Sequence, residues 1–243
     1  MKTFVISLKK SIERRQRIQD SLASIGIEFT FFDAIDGSQD SFLHSDKAAP
    51  KKTTRRFGYN LENGEIACYA SHYLMWEKCI ELNQAILVLE DNGTFTEQFK
   101  NCFHLFDQIS EKYDFIKLGG THHTNKKTVK RYLIEKISPD ISLIRYGKRN
   151  AGTVGYLITP KAAEYFLKNS NEFLEPVDNF MEKPWRHSIK AYCFQPNLLI
   201  REPSVIPSVI GSNRKNKGKI RLIHRLSKEA YKAYEKIQYK LHK

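Results

Sequence analysis

Long apolar runs are absent from this sequence. The longest unbroken aliphatic run, residues 85–89, is far shorter than the roughly 18 to 20 residues that a helix needs to cross a bilayer. Near the start, only residues 3–8 are largely apolar before two lysines, which is shorter than a signal-peptide core of roughly 7 to 15 residues. We therefore expect no membrane span and no secretion signal, and a protein that is soluble or peripheral.

Paired cysteines are also missing. The four cysteines form neither a C-x-x-C pair nor a metal-type cluster; they are Cys68, Cys79, Cys102 and Cys193. Such spacing is compatible with a reducing compartment. We expect free, buried thiols.

Acidic residues are too few to balance the basic ones. The sequence has 40 Lys and Arg against 27 Asp and Glu, a formal net charge of +13. This favours an anionic partner, which can be nucleic acid, a phosphorylated substrate or an acidic membrane surface. Residues 212–243 hold 11 basic and 2 acidic residues, so residues 1–211 carry only +4. We therefore divide the chain into a folded domain over 1–211 and a basic tail over 212–243.

Hydrophobic periodicity predicts alternating strands and helices. A strand over residues 3–8, a helix over 12–25 that ends at Gly26, and a strand over 29–32 form a β-α-β unit, which argues for a parallel sheet. Residues 38–60 are polar and without periodicity, which predicts a long loop. Further helices are predicted over residues 65–82, 96–110, 160–168 and 177–187, the last interrupted by Pro184. Further strands are predicted over residues 85–89, 115–118, 142–146 and 153–158, with an extended pair over 191–200 around Pro196.

An acidic turn follows the most hydrophobic of these strands. Residues 85–89 are apolar without alternation, as in a central strand, and they run directly into Glu90, Asp91 and Asn92. Open α/β sheets bind ligands at the carboxyl ends of their strands, and Mg²⁺ or Mn²⁺ take oxygen ligands together with substrate phosphates. The turn is therefore a candidate metal-diphosphate site, where a metal would assist the departing nucleoside diphosphate as a Lewis acid. Acidic residues after strands also act simply as turn formers or helix caps.

Seven motifs occur in one order over residues 1–212. They are VISL at 5–8 with ERR at 13–15, DAIDG at 33–37, NGEIACYASH at 63–72, LEDN at 89–92, YD to LG over 113–119, GTVGYLI at 152–158 and EPVD at 175–178. With these motifs the sequence resembles glycosyltransferase family 25, which comprises bacterial lipooligosaccharide galactosyl- and glucosyltransferases and has relatives among the collagen galactosyltransferases.

The resemblance implies a fold and a reaction. The fold is α/β of glycosyltransferase-A type, Rossmann-like, with a mainly parallel central sheet and flanking helices, to which the basic tail adds a C-terminal helix. The reaction moves galactose or glucose from a UDP-sugar to a sugar hydroxyl of lipooligosaccharide, with inversion at the anomeric carbon. The donor-binding residues implied here are Ser7, Leu8, Arg14, Asp36, Gly37, Glu65, Ser71, His72, Glu90, Gly152 and Thr153.

A metal and a catalytic base are also expected. Mn²⁺ or Mg²⁺ is expected on Asp91, Asn92 and Asp178, although the family pattern has an aspartate where this chain has Asn92. An asparagine carbonyl still binds a hard cation but brings no charge. Inversion needs a base for the acceptor hydroxyl, and Asp178 is the first candidate, with Asp91 as the other catalytic carboxylate. A helix N-cap or a metal-ligand role are the alternatives for Asp178.

Other polar residues have both functional and ordinary interpretations. Glu65 and His72 lie two helical turns apart and can face the donor together, or can be a cap-region glutamate and a satisfied, partly buried histidine. Arg14 and Arg15 can pair with a diphosphate through their guanidinium groups, or can be solvated. His122 and His123 look like zinc ligands, but adjacent residues on an extended segment point to opposite faces, which argues against a shared zinc ion. We expect both histidines to lie in a loop near the acceptor.

The basic tail has the pattern of an amphipathic helix. Its apolar residues recur every three or four positions opposite a face rich in Lys and Arg; they are Ile220, Ile223, Leu226, Ala230, Ala233, Ile237 and Leu241. One hypothesis is docking on an anionic membrane surface, in line with a lipid-linked acceptor. The alternative is a helix packed on the domain with a solvated basic face.

Two other functions compete with the enzyme. Basic charge and 12% aromatic residues favour a nucleic-acid-binding protein, but the +4 on residues 1–211 and the lack of an aromatic-basic motif argue against it. Asn92 keeps open a catalytically weak or inactive sugar-nucleotide-binding homologue. We expect a cytoplasmic protein, peripheral at the cytoplasmic face of the inner membrane.

Overall fold

The structure is a computed structural model and describes residues 1–120, 129–201 and 222–242. The strands in these ranges are β1 (Lys2–Ser7), β2 (Thr30–Asp33), β3 (Ile86–Glu90), β4 (Gly93–Phe95), β5 (Phe115–Lys117), β6 (Arg131–Lys136), β7 (Ser142–Tyr146), β8 (Gly155–Ile158), β9 (Tyr192–Gln195) and β10 (Leu199–Arg201). The helices are α1 (Ile12–Ser24), α2 (Pro50–Phe57), α3 (Asn63–Leu82), α4 (Glu97–Cys102), α5 (Phe106–Lys112), α6 (Pro160–Lys168), α7 (Val177–Met181), α8 (Pro184–His187) and α9 (Leu222–Leu241).

The β-α-β opening is confirmed. Strands β1 and β2 pair in parallel, and α1 crosses between them with Ile18 and Leu22 buried one turn apart. Gly26 follows α1 at φ +69°, a left-handed conformation that glycine adopts without a steric penalty.

The central sheet has eight strands in the order β2-β1-β3-β8-β5-β9-β7-β6. Strand β1 runs parallel to both of its neighbours, β2 and β3, and β5 runs parallel to β9. Strand β8 runs antiparallel to its two neighbours, β3 and β5. A second small sheet pairs β10 with β4. Helices flank the large sheet on both sides, so the predicted α/β fold with a central sheet and flanking helices is confirmed.

Two apolar clusters, one on each side of the sheet, hold these layers together. One joins α3, α6 and α7 around Trp76, Phe166 and Phe180. The other joins α1, α4 and α5 to the opposite face around Phe99 and Phe106. Strand β3 contributes Val88 to the first cluster and Leu87 and Leu89 to the second, which explains its unbroken hydrocarbon sequence.

Several predicted boundaries were wrong. Residues 38–60 are not one long loop, because a 3₁₀ turn (Ser45–Lys47) and α2 lie within them. The single helix predicted over residues 96–110 is instead α4, a 3₁₀ turn (Phe103–Leu105) and α5. Strands β4 and β6 were not predicted. Strand β4 has only three residues and owes its conformation to pairing with β10, a distant segment.

Helix α9 packs against α2, which is the alternative foreseen for the tail. Its docked face is not the apolar one: Leu226, Ile237 and Leu241 are exposed. The predicted boundary between residues 211 and 212, together with Ile220 and the side chain of Ile223, lies outside the described residues. No helix among the described residues is long and apolar enough to cross a membrane.

The predicted free, buried thiols are confirmed for Cys79, Cys102 and Cys193. Burial raises the pKa of each of these three thiols to about 12, so they remain protonated and unreactive near neutrality. Cys68 is half-buried.

Candidate active site

A cavity of about 1010 Å³ opens at the carboxyl ends of β1 and β3. Because these strands are adjacent and parallel, Ser7 at the end of one lies beside the acidic turn at the end of the other. All fourteen residues predicted for donor, metal or catalysis line this cavity. Their contributions to binding and catalysis stay predictions. The volume of the cavity suits a ligand as large as a sugar nucleotide.

Asp91 is the most buried carboxylate of the acidic turn. Its amide donates to the carbonyl of Ile6 at 3.2 Å, which extends the β1–β3 pairing by one residue. Its Oδ2 accepts a hydrogen bond from the Ser7 hydroxyl at 2.7 Å, and Arg14 approaches Oδ1 at 3.4 Å. Burial raises the pKa of Asp91 above its ordinary value, and Ser7 and Arg14 only partly offset this. A carboxylate with a raised pKa is a stronger base than an exposed one.

Arg17 holds the backbone of the acidic turn and was missed by the sequence analysis. Its guanidinium donates to the carbonyls of Asp91 at 2.6 Å and Gly93 at 3.0 Å. Arg14 and Arg17 are three residues apart on α1 and therefore share a face, which is the sequence signal that could have identified the second arginine.

Glu90 is the centre of a hydrogen-bonded group at the base of the cavity. Its Oε1 lies 3.3 Å from Nε2 of His72 and also accepts from the Thr153 hydroxyl, and Oε2 accepts from Nδ2 of Asn92 at 2.9 Å. Burial alone would raise the pKa of Glu90, but hydrogen bonds from His72, Thr153 and Asn92 outweigh it and lower the pKa to about 2. Glu90 is therefore ionised at neutral pH.

His72 is a buried residue whose two ring nitrogens are both engaged. Nδ1 lies 2.9 Å from the hydroxyl of Tyr156, opposite the contact with Glu90. Both interpretations of His72 therefore hold: its ring nitrogens have partners within the protein, and the side chain also lines the cavity. Among the described residues, Cys68, His72 and Glu90 form a group whose ligand atoms lie within 4.8 Å of one another. Its sulfur and nitrogen atoms suit Zn²⁺ better than the hard cation predicted at Asp91.

Asn92 leaves one oxygen available. Its Nδ2 is used by Glu90, whereas Oδ1 is buried and has no hydrogen-bond partner among the described residues. A buried carbonyl oxygen without a partner costs free energy unless a ligand satisfies it. This oxygen, on the residue next to Asp91, is of the type that binds a hard cation such as Mn²⁺ or Mg²⁺.

Asp178 is not a helix cap. Pro176 is the N-cap of α7, and Asp178 instead accepts a hydrogen bond from the amide of Gly152 at 2.9 Å. Gly152 has φ +103°, a conformation open to glycine but strained for other residues. The N-cap alternative is therefore wrong, and the contact joins two motifs that are 26 residues apart and both line the cavity.

The loop that carries Asp36 and Gly37 also lines the cavity. Ser71 accepts a hydrogen bond from the Ile35 amide at 2.9 Å and so holds the loop that carries Asp36 and Gly37. Hydrogen bonds from Lys10 and Ser38 lower the pKa of Asp36 to about 2.

Gly37 lies against α3. A Cβ at Gly37 would lie 2.6 Å from the carbonyl oxygen of Asn63, so only glycine fits. Glu65 belongs to a capping box with Glu62 at the start of α3, as the ordinary interpretation held, and it lines the cavity as well.

Among the described residues, the lysine and arginine side chains that line the cavity are Lys10, Arg14, Arg149 and Arg201. Only Arg14 was predicted, because the other three lie outside the motifs. Arg15 does not line the cavity; it donates to the Ser7 carbonyl at 2.8 Å and to Asp33, and so braces β1 and β2. Residues 122–123 lie outside the described residues.

Comparison with known proteins gives the chain a family. The model of "Glycosyltransferase family 25 (LPS biosynthesis protein)" matches residues 1–181. Human procollagen galactosyltransferase 2 is 28% identical over 204 residues, which are 78% of this chain and 31% of that protein. The lipooligosaccharide biosynthesis protein lic2B of Haemophilus influenzae is 26% identical over 215 residues, covering 85% of this chain and 78% of that protein. The chain spans less than a third of the length of the human protein and of two insect glycosyltransferase 25 family members.

A solved glycosyltransferase involved in glycosylation of the major capsid of PBCV-1 has a TM-score of 0.34 and 9% identity, covering 79% of this chain and 80% of that one. A similarity this low adds nothing to the assignment. The family model, in contrast, covers well over half of the chain, including β1, the acidic turn and Asp178. The chain belongs to glycosyltransferase family 25.

Proposed function

We propose that this glycosyltransferase moves galactose or glucose from a UDP-sugar to a sugar hydroxyl of a lipooligosaccharide, with inversion and with Mn²⁺ or Mg²⁺. The observation that carries the proposal is one cavity that is lined by Asp91, Asn92 and Asp178 and also by the basic side chains Lys10, Arg14 and Arg149. The names of two relatives, a procollagen galactosyltransferase and a lipooligosaccharide biosynthesis protein, support the hexose and the acceptor.

The charges in the cavity suit a sugar nucleotide. A diphosphate is anionic, and Arg14, Arg149 and Lys10 provide cationic groups in the cavity that the acidic turn also lines. Asp91 and Asn92 would hold the cation, which when bound would neutralise charge on the leaving diphosphate.

Inversion requires one displacement at the anomeric carbon. The acceptor oxygen forms the new glycosidic bond, the bond from the anomeric carbon to the diphosphate oxygen breaks, and the hydroxyl proton passes to a carboxylate. Asp178 is our candidate for that base, because the Gly152 amide occupies only its Oδ2 and fixes its orientation. Ser7 and Arg14 hold the Asp91 carboxylate, and we assign Asp91 to binding the cation that would neutralise the diphosphate.

Release of UDP from UDP-galactose or UDP-glucose tests the proposal. With Mn²⁺ and a lipooligosaccharide acceptor, we expect turnover that falls roughly a hundredfold or more in both Asp91→Asn and Asp178→Asn. Asp140→Asn, at an exposed turn, is the matched control and should be unchanged. Turnover that is equal in all variants would refute the assigned roles. UDP binding by calorimetry without turnover would instead indicate an inactive sugar-nucleotide-binding homologue.

Replacing Asn92 with aspartate tests the metal site separately. The new carboxylate would lie against Glu90, which now accepts a hydrogen bond from Asn92, so we expect lower stability without metal. A second negative charge should strengthen Mn²⁺ binding, so added Mn²⁺ should raise the melting temperature of Asn92→Asp more than that of the wild type. An equal or smaller Mn²⁺ shift in the variant would contradict metal binding at this turn.

A further inference from the structure

Helix α9 contacts the domain through its polar and aromatic side chains. Lys183 lies between Glu175 of the domain and Glu235 of the helix and makes an ion pair with each. The ring of Tyr231 packs edge-on against Phe57 with centroids 5.2 Å apart. These contacts anchor the middle of the helix.

The last turns of α9 are anchored in the same way. Tyr239 and His242 both contact the ring of Trp185, with centroids 4.6 and 5.9 Å apart, and Arg145 donates to the carbonyl of His242. Tyr231, Glu235, Tyr239 and His242 recur every three or four residues and therefore share one face. The face that meets the domain is thus the less hydrophobic one.

The opposite face of α9 is apolar and exposed. Leu226, Ile237 and Leu241 are 67%, 55% and 70% exposed, and Ala230 and Ala233 between them are exposed too. We call these five residues the outer stripe. It runs for about 22 Å along the helix at 1.5 Å per residue. A contiguous apolar stripe on a surface marks an interaction site more often than scattered apolar residues do.

Basic residues border the outer stripe along one edge. Lys232, Lys236 and Lys240 are exposed and four residues apart, and Arg225 is exposed two turns before Lys232. Glu229 is the exposed acidic side chain in the described part of the tail, and it accepts a hydrogen bond from Lys232 at 2.6 Å. The outward surface therefore combines an apolar strip with a net positive charge.

We propose that the outward surface of α9 docks on an anionic phospholipid bilayer, independently of the proposed transfer reaction. An interfacial helix buries its apolar face among the acyl chains while flanking cations contact the lipid phosphates. Leu226, Ile237 and Leu241 supply the apolar contacts, and Lys236 and Lys240 the phosphate contacts. A second copy of the chain is a poorer occupant, because its own α9 would bring the same positive charge.

Sedimentation of the full chain with vesicles tests the docking. We expect binding to phosphatidylcholine vesicles with roughly one third phosphatidylglycerol, weakening with salt, and little binding to pure phosphatidylcholine. The triple variant Leu226→Ser, Ile237→Ser and Leu241→Ser should bind roughly tenfold or more weakly. Lys236→Gln and Lys240→Gln should each weaken binding about fivefold. The far-ultraviolet spectrum and melting temperature verify folding, since all five side chains face outward.

A matched control separates the outer stripe from general surface hydrophobicity. Ile12 and Leu133 are 69% and 62% exposed at other places on the surface, and Ile12→Ser with Leu133→Ser should bind vesicles like the wild type. The docking proposal is overturned if the wild type does not sediment with anionic vesicles, or if the triple variant binds as well as the wild type. It is also overturned if this control loses as much binding, or if the stripe variants abolish self-association and leave vesicle binding intact.

Discussion

The buried pair of Lys117 and Glu182 supports the loop that carries Gly152, and its removal should be costly. Lys117 lies on β5 with a side chain 1% exposed, and its ammonium donates to Glu182 at 2.7 Å and to the carbonyl of Asn150. Glu182 is 8% exposed, and its other oxygen accepts from the Asn150 amide at 3.4 Å. Asn150 is fully buried and two residues before Gly152.

Lys117→Met removes the ammonium and leaves the Glu182 carboxylate buried without its partner. Breaking a buried ion pair from one side typically costs about 3 to 5 kcal/mol. A domain with about 5 to 15 kcal/mol of total stability would lose a large part of it. If the unpaired charge causes the loss, Lys117→Met combined with Glu182→Gln should recover about 2 kcal/mol or more, because the amide is neutral and its carbonyl can still accept from Asn150.

Urea unfolding of the wild type, both single variants and the double variant measures the coupling. The matched control is Lys78→Met, which removes a lysine from the solvent-exposed ion pair with Glu81 and should cost less than about 1 kcal/mol. A loss below about 1 kcal/mol in Lys117→Met, or a double variant no more stable than that single one, would refute the reasoning.

Two further predictions concern backbone space and pH. A Cβ at Gly119 would lie 2.1 Å from the carbonyl oxygen of Leu199, so Gly119→Ala should cost about 3 kcal/mol. Gly147→Ala, whose nearest contact would be 3.3 Å, should cost less than about 1 kcal/mol; equal losses in thermal unfolding would contradict the steric argument. Burial lowers the pKa of His187 from 6.5 to about 3, so the folded state binds fewer protons than the unfolded state and stability falls as the pH drops below 6.5. From about pH 8 to about pH 5, His187 should lower the free energy of unfolding by about 2 kcal/mol, and His187→Gln should lack that decrease. Urea unfolding measures both; an unchanged pH dependence in the variant would assign the protons to other groups.

Local sequence patterns were sufficient for the elements that form the cavity. The helical spacing of Ile18 and Leu22 and the unbroken run of β3 predicted a β-α-β unit and a central strand, because burial on one or both faces leaves a direct periodicity. The carboxyl ends of parallel neighbours meet at one sheet edge, which is why Ser7 and Asp91, each at or just after the end of a strand, lie together.

Contacts between distant segments were beyond such patterns. A helix cap was one alternative for Asp178 because only its own neighbours were visible, yet its partner is the amide of Gly152, 26 residues away. Strand β4 exists because β10 pairs with it, and pairing is a property of two segments. Arg17 supports the acidic turn across 74 residues.

The C-terminal helix separates the two sources of information most clearly. The periodicity of Leu226, Ala230, Ala233, Ile237 and Leu241 by itself determined that this segment is an amphipathic helix, since residues three or four apart share a face. Only the tertiary structure decided which face meets the domain. Glu235 and Tyr231 are anchored by the buried Lys183, and an ion pair between distant residues leaves no trace in hydrophobic periodicity. The helix therefore docks by its polar face and leaves its apolar face outward.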